Sequence, residues 1–363
     1  MSQLRVMTRV PELDGVRATA IWLVLLFHIF PVSAPAFRHV PAFIKQIISH
    51  GWLGVDLFFV LSGFLITGIL LDTKNDRRYF TNFYGRRALR ILPVYLVTIG
   101  CMWIAYGRFH HFFLLSLAFL SNFNDLLQVP YPLGGTVLWS LAVEEHFYLL
   151  WPIFVRFAST RTIVLVSVLL IIVEIVARAV CAARGIDTYQ LSWFRFDGLA
   201  LGALLAVFVR SGYCTRQNCI KLAAGLILTI AAVTAVAIPY GSLIIKSPVS
   251  SSLRFAQAYV CFGAGIMLLW AFRSHPITGL FRSRFARISA DLSYCVYLIH
   301  LGVLDGYYYA TNSVLAPWLK AHLGDFVTAV VNGAAILAIT LVLALLSRKF
   351  IESPAIRLKS RFS

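Results

Sequence analysis

Arg17 and His28 have the types and the spacing that could carry chemistry. Both lie in the apolar run LDGVRATAIWLVLLFHIF, where a lipid-facing helix carries no charge. An imidazole is an acid–base group or nucleophile near neutral pH, and a guanidinium holds anions or charge developing on a carbonyl oxygen. Eleven residues at about 100° each turn through about 1100°, within about 20° of three full turns, so the two side chains point the same way. Asp14, three residues before Arg17, joins the stripe. Ionisable groups in a membrane span are expensive and normally face a bundle interior or a wet cavity. The alternative is an Asp14–Arg17 pair near the helix end, with Arg17 snorkelling and His28 hydrogen-bonded in the core.

Further polar groups interrupt other apolar runs. In LWSLAVEEHFYLLWP, Ser140, Glu144 and Phe147 fall on one face, Trp151 continues the stripe, and Pro152 is expected to break the helix. Glu144 either pairs with Arg17 as a structural lock, orients His28 or binds substrate. The run GWLGVDLFFVLSGFLITGILL carries Asp56, Ser62, Gly63, Thr67 and Gly68. Its glycines suit close helix packing, and Asp56 is either a hydrated helix-end acid or the partner of a buried cation. Arg195 and Asp197 in RFDGLALG form a local helix-end pair or a site for a polar acceptor. Ser293, Tyr297 and His300, spaced by four and three, line a tunnel or hydrogen-bond between helices. Arg86, Arg87 and Arg90 lie within five residues; guanidinium binds phosphate oxygens bidentately, so they suit a phosphorylated ligand, or else anchor the chain at lipid phosphates. The six cysteines are scattered without zinc or disulfide spacing, so no metal site is expected; Cys214 and Cys219 are only a weak metal signal.

The elements that must position these groups follow from composition. Of 363 residues, 60% are hydrophobic and 13% charged, and the mean hydropathy is +0.81. A soluble domain is nearer 45–50% apolar and about 25% charged, so this chain belongs in a bilayer. The fold class expected is all-α, a polytopic bundle of about ten transmembrane helices. Their expected limits are 13–33, 51–71, 88–107, 137–157, 162–183, 196–211, 222–240, 256–273, 291–310 and 326–347. The stretch 111–121 is too short to cross and is expected at the surface or re-entrant. Residues 1–363 are read as one membrane domain without a repeat of fixed period. Ser33-Ala34-Pro35-Ala36 faintly resembles a signal-peptidase site, but the polar residues of the first span are wrong for a signal sequence, so an uncleaved helix is expected.

The formal charge of +17 is distributed as a topology signal, which argues against nucleic acid as a partner. With the N-terminus inside, 22 of the 32 Lys and Arg fall on cytoplasmic segments, Arg5, Arg9 and the tail after 347 among them. Nine fall on outer segments, including Arg178, Arg195 and Lys246. This skew obeys the positive-inside rule with both termini cytoplasmic, and makes membrane lipids the first partner.

Taken in order, these stretches resemble the acyltransferase-3 family of integral-membrane acyltransferases. The resemblance rests on seven motifs: Arg17 and His28 within LDGVRA…FH, GVDLFFVLSGF at 54–64, the Arg-rich run at 86–90, Trp139-Ser140-Leu141 with Glu144 and Phe147-Tyr148, Arg195-x-Asp197 with Gly202, Tyr297-Leu298-Ile299-His300, and Glu352-x-Pro354. It implies transfer of an acyl group, usually acetyl, from a cytoplasmic donor to hydroxyls of sugars or other acceptors, in a bacterial inner membrane. Arg17 and His28 become the leading functional pair. One branch of the family carries a fused hydrolase-like domain, whereas about 16 residues follow the tenth expected span here. A stand-alone enzyme is therefore expected, acting directly on its acceptor or passing the acyl group to a glycan-assembly or relay partner protein.

On this reading acyl-CoA, acetyl-CoA in the first instance, is a co-substrate and no cofactor is bound permanently. A neutral His28 accepts the proton of the acceptor hydroxyl as it attacks the thioester, or forms a transient acyl-histidine. Arg17 positions the donor or stabilises the carbonyl oxygen, and Glu144 orients His28 or pairs with Arg17. Arg86, Arg87 and Arg90 hold the donor's phosphates. Asp14, Asp56, Ser140, Arg195, Asp197, Tyr297 and His300 are substrate-side candidates for a carbohydrate or lipid-linked glycan. The rival reading is a proton-coupled transporter with His28, Glu144 and His300 as its relay; a third is a catalytically idle partner in glycan assembly.

Overall fold

The computed structural model describes residues 10–186, 188–237, 248–313 and 315–362. Arg5, Arg9, Lys246 and the last residues of the seventh expected span lie outside them. The described residues form helices and no strand. Every expected span falls on a helix: α1 (Pro11–Ile29), α3 (Leu53–Asp72), α4 (Tyr79–Tyr106), α6 (Leu138–Phe157), α7 (Thr160–Ala183), α8 (Phe196–Arg210), α9 (Arg216–Ala237), α10 (Pro248–Ala271), α11 (Arg284–Thr311) and α12 (Leu315–Ser347). Two short helices, α2 (Ala42–Ser49) and α5 (His110–Leu117), lie in connections, and α13 (Ser353–Arg357) follows α12.

Six segments among the described residues are long and apolar enough to cross a bilayer: Leu53–Asp72, Tyr79–Leu117, Thr160–Ala183, Leu253–Ala271, Pro276–Thr311 and Pro317–Ser360. The chain is an integral membrane protein. The helices outside this group include the polar α1, with Glu12, Asp14 and Arg17 in its first two turns, and the 15-residue α8.

Two expectations are corrected. Pro152 does not break α6, which runs five residues further to Phe157. A membrane helix tolerates proline where neighbouring groups take up the freed backbone, and here the Tyr79 hydroxyl donates to the Pro152 carbonyl at 3.0 Å. Arg178 does not lie in an outer connection; it is buried within α7. In addition, α12 is interrupted at Gly324, whose φ of 74° is left-handed and suits glycine. The tenth expected span begins just beyond that break.

The chain divides into two compact units. One comprises Met1–Arg17, Asp56–Tyr79 and Ser140–Arg287; the other comprises Ala18–Val55, Phe80–Trp139 and Ile288–Ser363. In the first unit α7, α8, α9 and α10 pack on one another, and α3 meets α8 backbone to backbone. A Cβ on Gly63 would run into the Leu199 backbone, and one on Gly202 into the Val60 carbonyl. Small residues allow this approach. Gly202→Ala is therefore expected to destabilise by about 1–3 kcal/mol, because the clash is with backbone. Gly225, with nothing within 4 Å, is the control: Gly225→Ala should be neutral or stabilising, since Ala is the better helix former. Thermal unfolding of both variants in detergent checks the contrast, and equal unfolding temperatures would refute it.

In the second unit α11 is the hub. The Trp22 indole of α1 donates to Ser289 Oγ at 3.1 Å, the Tyr294 hydroxyl to the Ile91 carbonyl of α4 at 2.9 Å, and the Tyr307 hydroxyl to Asn332 Oδ1 of α12 at 2.9 Å. Each bond joins α11 to a different neighbour.

Candidate active site

In the second unit the last turn of α1 presents His28 to α11. His28 Nδ1 lies 3.1 Å from His300 Nε2, with ring centroids 5.0 Å apart and planes inclined by 45°. The contact is a hydrogen bond between ring edges. His300 folds back on its own helix, its Nδ1 lying 2.7 Å from the Tyr297 carbonyl oxygen and 3.2 Å from that of Val296. His300 is fully buried, at 0% exposure, whereas His28 is only partly buried. A molecule approaching the pair therefore meets His28 first.

The connection entering α6 lies against the same part of α11. The Tyr297 hydroxyl donates to the Val137 carbonyl at 3.4 Å. A Cβ on Gly134 would come within 2.9 Å of the Gly302 Cα, two residues beyond His300. The same connection holds Phe119 (φ 56°) and Gln128 (φ 53°) in the left-handed region. Such backbone is strained for non-glycine residues and concentrates near functional sites. Nothing in the local sequence announces it.

Arg86, Arg87 and Arg90 are half-buried on α4 in this unit. All three lie within electrostatic reach of Lys359, so the cationic cluster has a fourth member that the sequence reading missed. Glu352, buried after α12, feels Arg348 and Arg90, and Arg348 pairs with Asp291 at 2.9 Å.

The remaining candidates lie in the first unit. Asp14 and Arg17 face each other at 4.0 Å, the limit of an ion pair. Glu144 accepts from Ser62 Oγ at 2.7 Å on one oxygen and from the Tyr148 hydroxyl at 2.9 Å on the other. Ser140 is buried on the same helix, and Phe147 stacks on Trp151 with centroids 4.8 Å apart. Arg195 is salt-bridged to Asp56 across α3, and Asp197 to Arg178 of α7. The local Arg195–Asp197 pair is thus replaced by two crossed pairs. Glu174 Oε2 accepts from the Asp197 backbone N–H at 2.9 Å. The sequence reading passed over Glu174 and counted Arg178 only as an outer charge, although two ionisable residues at i and i+4 in so apolar a span are a signal in themselves.

A cavity of about 370 Å³ in the first unit is lined by Cys214, Cys219, Arg216, Trp270 and Arg273 among others. Its lining also includes an imidazole, His275, whose Nδ1 accepts from the Ile277 backbone N–H at 3.2 Å as a helix cap. His28, whose ring partner is a second, buried histidine, is the candidate pursued below. Cys214 and Cys219 approach to 3.7 Å between sulfurs as free thiols.

Comparison with known proteins gives the family of the chain. Residues 10–348 match the acyltransferase-3 family, described as an acyltransferase domain. The peptidoglycan O-acetyltransferase OatA of Listeria monocytogenes is 36% identical over 165 residues, 40% of this chain and 24% of the relative. The YrhL protein of Bacillus subtilis is 35% identical over 164 residues, covering 40% and 23% respectively. An uncharacterized protein of Haemophilus influenzae is 31% identical over 181 residues, 42% of this chain and 74% of the relative. The matched region spans about a quarter of the length of the first two relatives. No solved structure matches the chain.

Proposed function

This chain belongs to the acyltransferase-3 family, and we propose that it is an acyltransferase that moves an acetyl group from cytoplasmic acyl-CoA to a hydroxyl of a cell-surface or exported carbohydrate. The single observation that carries this reading is His28, partly exposed and hydrogen-bonded from behind by the buried His300. The name of the OatA relative supports acetyl as the group and a peptidoglycan-like glycan as the acceptor. Ten crossing helices with both termini cytoplasmic, in a bacterial inner membrane, belong to the same proposal; the six segments long and apolar enough to cross and the basic skew of the connections support it.

In the proposed reaction His28 takes the proton of the acceptor hydroxyl as its oxygen attacks the thioester carbonyl. The C–S bond breaks and the leaving thiolate recovers that proton from His28. Arg17, on the same helix, positions the donor or stabilises the carbonyl oxygen. Glu144, with Ser62 and Tyr148 on its two oxygens, is the next candidate for orienting a reactant. Asp14, Ser140 and Tyr297 remain substrate-side candidates, and His300 is read with His28. Asp56, Arg195 and Asp197, buried and ion-paired, are read as architecture. A separate glycan-assembly protein that presents the acceptor or takes over the acyl group fits the same scheme.

The donor's phosphates are proposed to sit on Arg86, Arg87 and Arg90, with Lys359 beside them. Charge-assisted hydrogen bonds contribute about 1.5–3 kcal/mol each, so Arg86→Ala with Arg87→Ala should weaken acetyl-CoA binding at least about tenfold and leave acceptor affinity alone. Unchanged donor affinity in the double variant removes the phosphate anchor. The function itself is tested with purified protein in lipid vesicles, labelled acetyl-CoA and crude envelope glycans. Label in the glycan with wild type but not with His28→Ala supports the reading. Proton-dependent solute flux without acyl consumption would replace it with a transporter.

A further inference from the structure

We infer that His300 is the positioning residue that selects the working tautomer of His28. The inference deepens the proposed transfer and rests on His28 acting as its base. A carbonyl oxygen only accepts hydrogen bonds, so the 2.7 Å approach of His300 Nδ1 to the Tyr297 carbonyl puts the proton on that nitrogen. In a neutral ring the other nitrogen, Nε2, then carries a lone pair. That lone pair faces His28 Nδ1 at 3.1 Å, so His28 Nδ1 must carry a proton and donate it. The Val24 carbonyl, one turn earlier on α1, accepts from the same imidazole. His28 Nε2 is left bare, able to take a proton from a hydroxyl.

The order of the relay is set by backbone. The ring of His300 is tied to its own helix and wholly buried, so its tautomer needs no titrating partner. A carboxylate behind a catalytic histidine does the same work in hydrolases with a Ser-His-Asp triad. A carboxylate in this apolar surrounding would be a charge to bury, whereas a neutral imidazole is not. During transfer the hydroxyl proton moves to His28 Nε2, the new C–O bond forms, and the C–S bond breaks. The positive charge on His28 is meanwhile stabilised through Nδ1–H and the His300 lone pair. The leaving thiolate takes the proton from Nε2, and both rings return to their starting tautomers.

Solid-state NMR of the full chain in lipid, labelled with 15N-histidine, separates protonated from bare ring nitrogens without any acceptor. The His28 signals are assigned by their loss in His28→Gln. Wild type should show His28 protonated at Nδ1 and bare at Nε2, and His300→Phe should mix the tautomers. With acetyl-CoA and envelope glycan, His300→Phe should lower kcat about 100-fold or more with the donor KM unchanged. His300→Gln, whose amide oxygen can accept from His28 Nδ1, should recover much of the rate. A wild-type His28 protonated at Nε2, or full kcat in His300→Phe, overturns the inference. If His300→Phe fails to fold, the wild-type spectrum and His300→Gln decide, a Gln variant as slow as His28→Gln counting against it. An inactive His28→Gln beside a fully active His300→Phe would remove the role of His300 alone; a fully active His28→Gln would remove the underlying reaction as well.

Discussion

Replacing His28 by Gln is expected to lower the rate of acyl transfer by about 10²- to 10⁴-fold, the usual contribution of a positioned general base. Glutamine keeps a polar side chain of similar reach, so the packing at the end of α1 changes little. It can bond to His300 Nε2, but it offers no lone pair basic enough to take a hydroxyl proton. Donor affinity should be unchanged if the cluster on α4 is the phosphate anchor proposed above. Single-turnover transfer of labelled acetyl beside equilibrium acetyl-CoA binding separates the two effects. Equal loss of both would mean a general collapse of the site, and a retained rate would end the assignment of His28. Incubation with donor alone adds a further distinction: acetyl found on His28 identifies the covalent route, and its absence favours direct transfer.

Removing one partner of the Asp56–Arg195 pair should be the most damaging substitution for stability, at about 3–5 kcal/mol, the range for an uncompensated buried charge. Both side chains are at 0% exposure. The guanidinium also lies 4.4 Å from the Phe255 ring centroid and 5.3 Å from that of Phe59, and the Tyr259 hydroxyl donates to Asp56 at 3.3 Å. Asp56→Leu leaves Arg195 among aromatic rings without its counter-ion, which those rings compensate only in part. The pair Asp56→Leu with Arg195→Met should recover most of the loss, since an apolar pair of similar volume is often no less stable than a buried ion pair. Asp325→Asn serves as the control, because the Lys320–Asp325 bridge at 3.1 Å is 67% and 55% exposed and contributes little. Unfolding in detergent reads all three. A double variant as unstable as Asp56→Leu would show that shape, not charge compensation, is what this place requires.

What could be read from the chain alone follows from how each signal is encoded. His28 was legible because an imidazole in an apolar run stands out whatever surrounds it, and helical spacing put Arg17 on the same face. The identity of its partner was not. His300 is 272 residues away in sequence, and periodicity assigns a residue to a face without saying what that face meets. The same limit applied to Arg195 and Asp197. Two residues apart, they read as one local pair, yet each reaches a different helix, Asp56 on α3 and Arg178 on α7. Arg178 was counted as an outer charge although it falls inside the span expected at 162–183, and the fold buries it in α7. Pro152 was given its behaviour in water, where a freed carbonyl has less need of a neighbouring hydroxyl. Lys359 was invisible as a site residue because a basic tail after a span reads as topology, and only folding sets it beside Arg86, Arg87 and Arg90. Glycines were read correctly as packing residues at Gly63, but their partner Gly202 needed the fold.

The contact of α3 and α8 at Gly63 and Gly202 has a mechanical consequence. Side chains between two helices act as a cushion that can shear by changing rotamers, and here that cushion is missing. The two helices then move as one stiff strut. Spin labels attached to both, away from the glycines, should hold a fixed separation throughout turnover, so that any flexing in this unit is carried by its other joints.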